Sequence, residues 1–113
     1  MFKELGQMFG VMKNLPKIKE EMEKLQGRLV QLQAEGDAGG GMIKVRVNGH
    51  MEILACTISD EALKNNDKEL LEDLIVGAAN QALKKARVLV AEETSKMASG
   101  FGLPPGIKLP GVE

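Results

Sequence analysis

Between residues 15 and 32 the apolar positions are Leu15, Ile18, Met22, Leu25, Leu29 and Leu32, at alternating steps of three and four. That is the repeat of a helix meeting a second helix along one narrow line. The positions between them are charged (Lys17, Lys19, Glu20, Glu21, Glu23, Lys24 and Arg28), so the rest of this helix faces water. No obvious partner stripe inside the chain matches the seam. The pattern therefore predicts a projecting helix paired with its copy in another protomer, with Ile18, Met22, Leu25, Leu29 and Leu32 as the dimer interface. An earlier stripe (Leu5, Met8, Met12, Leu15) is offset from it by about a quarter turn at 100° per residue. The shift falls at Leu15-Pro16, where proline removes a backbone donor. The expectation is a weakly ordered segment over 1–15 with a short helix, then a firm helix from about Lys17 to Ala34. A single kinked helix is the alternative.

Gly36-Asp37-Ala38-Gly39-Gly40-Gly41 ends that helix. Met42–Val47 and Met51–Ile58 then read as strands flanking Asn48-Gly49, a hairpin signal. Ile43, Val45, Val47, Met51, Ile53 and Ala55 share odd parity. An odd loop, Val47-Asn48-Gly49 with Gly49 left-handed, would set them on one face and put Lys44 opposite Glu52. Leu54, Cys56 and Ile58 line the other face, so the second strand is expected to be covered on both sides. Ser59-Asp60-Glu61 and Asn66 with Glu69 look like helix starts, the latter a capping box. A long helix over about 67–98 would bury Leu71, Leu74, Ile75, Ala78, Ala82, Ala86, Leu89 and Val90. Its small residues at four-residue steps allow close approach. Residues 100–113, with three prolines and four glycines, should lack regular structure.

At 113 residues this is one domain by length. Fifteen basic against sixteen acidic side chains exclude a strongly basic polyanion binder, so any such binding must come from charge placement. The lone Cys56 rules out an internal disulfide and suits a reducing compartment. The start lacks a signal-peptide run and no 18-residue apolar stretch occurs, which reads as soluble and cytoplasmic, with no membrane partner.

The chemical constellations are thin. The glycine cluster leads from a helix into a strand with no Lys-Ser/Thr pair, so it reads as a turn and not a phosphate cradle. One histidine and one cysteine are too few for a usual zinc site. Cys56 among apolar neighbours reads as an inert buried thiol and His50 as a solvated hairpin residue. The carboxylates of Asp60, Glu61, Asp67, Glu69, Glu72 and Asp73 read as solvated helix starts. Catalysis, a metal, a cofactor and a small-molecule substrate are not expected.

Basic residues offer more. On a continuous helix Lys13, Lys17, Lys24 and Arg28 fall within about 60°, opposite the seam. Lys84, Lys85 and Arg87 form a second cluster, and Lys44 and Arg46 a third. A dimer would double each and could match duplex phosphates. Against this, Glu20 and Glu21 interrupt the stripe and can pair with Lys24 and Lys17. The chain has no Trp or Tyr and three Phe, so a stacking platform for single strands is absent and duplex contact is the natural form.

The runs GDAGGGMIKVRVNG (36–49), LLEDLIVGAANQALKKA (70–86) and GFGLPPGIKLPG (100–111) closely resemble the YbaB/EbfC family of bacterial nucleoid-associated proteins. The resemblance implies an α+β homodimer, each protomer with a long N-terminal helix, a three-stranded antiparallel sheet and a long C-terminal helix. It places the third strand around 34–40. The implied function is duplex DNA binding in nucleoid organisation, with effects on gene expression. Pro16 departs from the family's unbroken first helix. The DNA-contacting set expected from helix geometry is Lys17, Lys24, Arg28, Lys84, Lys85 and Arg87. The rival reading is a protein-interaction adaptor using the helical seam and Pro-rich tail.

Overall fold

Pro16 does not end the first helix: α1 runs from Phe2 to Gln31, so the separate helix expected before it gives way to one continuous element. Proline at an interior position forfeits one backbone hydrogen bond, a local cost that a helix docked elsewhere along its length can carry. The computed structural model describes the backbone of residues 2–100 and the side chains of residues 15–100. The Pro/Gly-rich tail after Gly100 lies outside that range. After α1 come β1 (Gln33–Ala38), β2 (Ile43–Asn48), β3 (Ile53–Ile58), α2 (Asp60–Lys64) and α3 (Lys68–Gly100). This is the α+β order of long helix, three-stranded antiparallel sheet and long helix.

The first helix stops earlier than its composition suggested, because residues 33–36 alternate exposed and buried as a strand does. Ala34 and Gly36 are the inward positions. A β-carbon on Gly36 would stand 2.5 Å from the Ala82 backbone nitrogen and would also strike the Ala78 carbonyl oxygen. Only a residue without a side chain lets α3 lie that close to β1. The matching surface on the helix is the stripe Ala78, Ala82 and Ala86, all at most 2% exposed. With Ile43, Val45 and Val47 these residues form the main core, against which Leu71, Leu74, Ile75 and Leu89 pack.

The sheet is a meander, β1-β2-β3. The hairpin loop has three residues, but they are Gly49, His50 and Met51, closed by the bond from Asn48 N–H to the Glu52 carbonyl (3.0 Å). Asn48 sets this register. Its buried side chain accepts from the backbone of His50 (2.9 Å) and Glu52 (3.1 Å) and donates to the Glu52 carboxylate (3.0 Å). The left-handed residue is accordingly Met51 (φ 61°) and not Gly49. Gly49 serves a different need: its N–H donates to the Leu29 carbonyl (2.9 Å), and a β-carbon there would lie 2.9 Å from the Leu29 carbonyl carbon.

A bulge between Arg46 and Val47 then changes which parity of β3 faces inward. Val47 pairs with Ile53, but Val45 pairs with Cys56 and Ile43 with Ile58. Cys56 and Ile58 thus share the α3 side of the sheet, and Ala55, opposite Arg46, lies on the other. Lys44 pairs with Thr57 and Asp37, not with Glu52, so the favourable cross-strand charge neighbour comes from β1. The expected cover over both sides of β3 is missing as well: every β3 residue except Ala55 is exposed.

The helix starts differ in one respect. Ser59 caps α2, its hydroxyl accepting from Ala62 N–H (3.2 Å). At α3 the capping side chain is Asp67, which accepts from Leu70 N–H (3.1 Å), because Asn66 takes a left-handed conformation (φ 49°) that turns the chain before the helix.

Candidate nucleic-acid interface

The apolar seam of α1 finds its partner inside the same chain. Leu25 (0% exposed) and Leu29 (3%) close on Val90 and Met97 of α3, with Met22, Leu32 and Met51 packed around them. Ile18 is buried too. The two helices run antiparallel, Arg28 standing beside Glu93 and Lys17 sharing a groove with Met97 and Gly100. Of the expected interface Ile18, Met22, Leu25, Leu29 and Leu32, it is α3 of the same chain and not a copy of α1 that covers Leu25 and Leu29, because the reversal through the sheet brings α3 back along them. Met22 and Leu32 stay half-buried. The spacing Val90 to Met97 is the complementary heptad. The adaptor reading loses the Leu25–Leu29 part of the seam, while the Pro-rich tail it also used lies outside the described residues.

This pairing also moves the basic stripe of α1. Lys17 and Arg28 line the α1–α3 groove instead of facing directly away from it, and Lys24 stands beside it on Glu21. The groove is lined by Lys17, Glu21, Arg28, Glu93 and Lys96 above an apolar floor at Met97. Carboxylates are interleaved with every cation but one. Lys24 reaches Glu21 (3.4 Å) and Glu20 (3.6 Å). The hydrogen bond and charge of Glu21, then the charge of Glu20, hold the Lys24 ammonium above its ordinary pKa, so it stays protonated through neutral pH. Arg28 lies 4.0 Å from Glu93, which also reaches Lys96 (3.5 Å). Lys17 has no ion pair among the described residues.

Exposed pairs of this kind contribute between nothing and about 1 kcal/mol, and an incoming phosphate can exchange for the carboxylate at small cost. The groove is therefore lined by three cations, Lys17, Arg28 and Lys96, with Lys24 beside it, all attenuated by Glu20, Glu21 and Glu93. Glu93 and Lys96 were not anticipated. Their i,i+3 spacing was visible, but only the antiparallel return of α3 shows that they adjoin Arg28.

The other cluster is split by α3 itself. Lys85 donates to the Glu35 carbonyl (3.1 Å) and Gln81 accepts from Asp37 N–H (2.7 Å). Both groups belong to β1 and point away from β2, so these two side chains cap the outer edge of the sheet. Lys84 stands opposite the buried stripe, and Arg87 lies on the flank away from β1, at about 100° per residue. The structure does not bring Lys84, Lys85 and Arg87 onto one surface with Lys17, Lys24 and Arg28. Lys44 and Arg46 sit on the far side of the sheet, opposite Asp37 and Glu35.

The residues considered for chemistry are placed apart from this groove. The His50 ring nitrogen Nε2 meets the Gln26 carbonyl (3.2 Å), which ties the hairpin to α1. Cys56 is exposed on β3, not buried as expected. Among the described residues no grouping of three or more His, Cys, Asp or Glu could hold a metal ion, and no helix is long and apolar enough to cross a membrane.

The family model of the YbaB/EbfC DNA-binding family matches residues 4–101. Among solved structures the chain is similar to the uncharacterized protein HP0035 from Helicobacter pylori, with 28% identity and a TM-score of 0.56 over 79% of this chain and 98% of that one.

Proposed function

This chain belongs to the YbaB/EbfC DNA-binding family, and we propose that it binds duplex DNA as a homodimer, mainly through the phosphates. Its place is the nucleoid, in the cytoplasm, where it organises DNA and so affects gene expression. It works by binding, without catalysis, cofactor or small-molecule substrate. The observation that carries this reading is the set Lys17, Arg28 and Lys96 lining the α1–α3 groove, with Lys24 joined to its Glu21 from beside it. Cations fixed on two packed helices follow a regular line of backbone charge and carry little sequence information. The neighbouring carboxylates make the interaction weak and strongly salt-dependent. Scarcity of aromatic side chains favours the duplex over single strands.

The test is a low-salt titration of purified protein against duplexes of unrelated sequence, with the protein's mass in solution recorded alongside. Charge reversal at Lys24 and Arg28 is expected to weaken binding to all sequences alike and leave the mass unchanged. Unaltered affinity in that variant would reject the groove as the contact surface.

A further inference from the structure

Three methionines meet where α1 lies on α3. Met97 of α3 is only 7% exposed, while Met22 of α1 and Met51 of the hairpin loop pack half-buried on the same cluster. Glu21, the residue before Met22, lines the same groove as Met97, so Met22 stands at the end of the seam that opens into that groove. Met51 packs on the sheet core as well and so joins the two cores. The rest of the seam is Leu25, Leu29, Leu32 and Val90, whose aliphatic side chains offer no hydrogen-bond donor. Half-burial lets a small oxidant reach Met22 and Met51, and the aliphatic surroundings cannot accommodate the polar product.

We propose that Met22 and Met51 form a reversible oxidation site, at which peroxide releases residues 17–24 of α1 from α3. A lone pair of the thioether sulfur attacks one peroxide oxygen, and the S–O bond forms as the O–O bond breaks. The departing hydroxide takes up the proton of the transferred oxygen and leaves as water. Sulfur is oxidised by two electrons and the peroxide is reduced. Two thiols reverse the change: they become a disulfide, and the sulfoxide oxygen leaves as water. The sulfoxide oxygen is a strong acceptor that must be hydrated, so the modified side chain leaves the seam and uncovers Leu25 and Met97.

The helix does not come away along its whole length. Gly49 N–H donates to the Leu29 carbonyl (2.9 Å), and the His50 ring meets the Gln26 carbonyl (3.2 Å). Peroxide leaves these backbone oxygens untouched, so α1 pivots about residues 26–29. Lys17 stands nine residues before Gln26, about 14 Å along the helix at 1.5 Å per residue, and is carried away from Lys96. Loss of duplex affinity is the consequence, and that step alone rests on the groove reading above.

The test treats the full chain with graded hydrogen peroxide, maps sulfoxides by peptide mass, and follows amide exchange and duplex titration at low salt. Met42, which packs on the sheet core alone, is the internal control. With Met22 and Met51 oxidised, amides of residues 17–24 are expected to exchange at least about tenfold faster, and those of residues 27–32 less than about threefold faster. Duplex affinity falls at least about fivefold and returns on treatment with methionine sulfoxide reductases and a dithiol. The combined variant Met22→Leu/Met51→Leu, which keeps volume and cannot be oxidised, holds both properties through the same treatment. The proposal is overturned if Met22 and Met51 stay reduced at a dose that converts Met42, or if their sulfoxides leave α1 exchange unchanged. A combined variant that responds as the unaltered chain does overturns it too. Released α1 with unaltered duplex affinity supports the oxidation site and rejects the groove as the DNA contact.

Discussion

Gly36 lies under Ala82 with no room for a methyl group between them. Substituting Gly36→Ala forces β1 away from α3, and since the obstruction is backbone on a packed helix, nothing can swing aside. The expected loss is about 1–3 kcal/mol of unfolding free energy, read from urea denaturation. Gly27→Ala is the matched control. It sits in an exposed position of α1 where an added β-carbon meets nothing within 4 Å, so it should stabilise by about 0.5–1 kcal/mol.

Asn48 holds the hairpin loop through both atoms of its side-chain amide while only 3% exposed. Asn48→Ala leaves the His50 and Glu52 N–H groups without their side-chain acceptor and should cost about 1–3 kcal/mol. The same change should accelerate amide exchange at His50 and Glu52 more than at β1. Equal acceleration throughout would mean that the loop is set by strand pairing alone.

Leu25 belongs to the interior of one chain. Leu25→Ala should lower unfolding free energy by about 2–5 kcal/mol and leave the subunit dissociation constant unchanged. A variant that stays as stable but comes apart into monomers would return the α1 seam to an intersubunit role.

Glu93 draws on both Arg28 and Lys96. Replacing it with Gln frees two cations at the groove, so duplex affinity at low salt should rise several-fold, against the usual expectation that surface changes weaken binding. The slope of log affinity against log salt should steepen by about −0.9 for each added phosphate contact. An unchanged slope would place the DNA elsewhere.

Much of this architecture could be read from residue order, and the exceptions have identifiable causes. The burial stripe of α3 and the two strands of the hairpin followed from spacing, because each is a property of a single element. β1 was invisible to composition: Gln33-Ala34-Glu35-Gly36 has no β-branched residue, since its inward positions must be small to admit α3. The inward parity of β3 was hidden by a one-residue bulge, and the loop register by an asparagine side chain replacing backbone bonds. The partner of the α1 seam was hidden most completely. Val90 and Met97 show their heptad spacing openly, but only the three-stranded reversal decides that they meet Leu25 and Leu29. The candidate site shared that fate: Lys17, Lys24 and Arg28 were legible as a stripe with Glu20 and Glu21 beside it, while Glu93 of α3 next to Arg28 was not.

The two rims of the sheet are unlike. Gln81 and Lys85 occupy hydrogen-bonding groups on the outward side of β1, whereas β3 is bare. A strand arriving from another molecule can be received at one border and is refused at the other. An asymmetry of that kind limits how far sheets of this protein can be extended edge to edge.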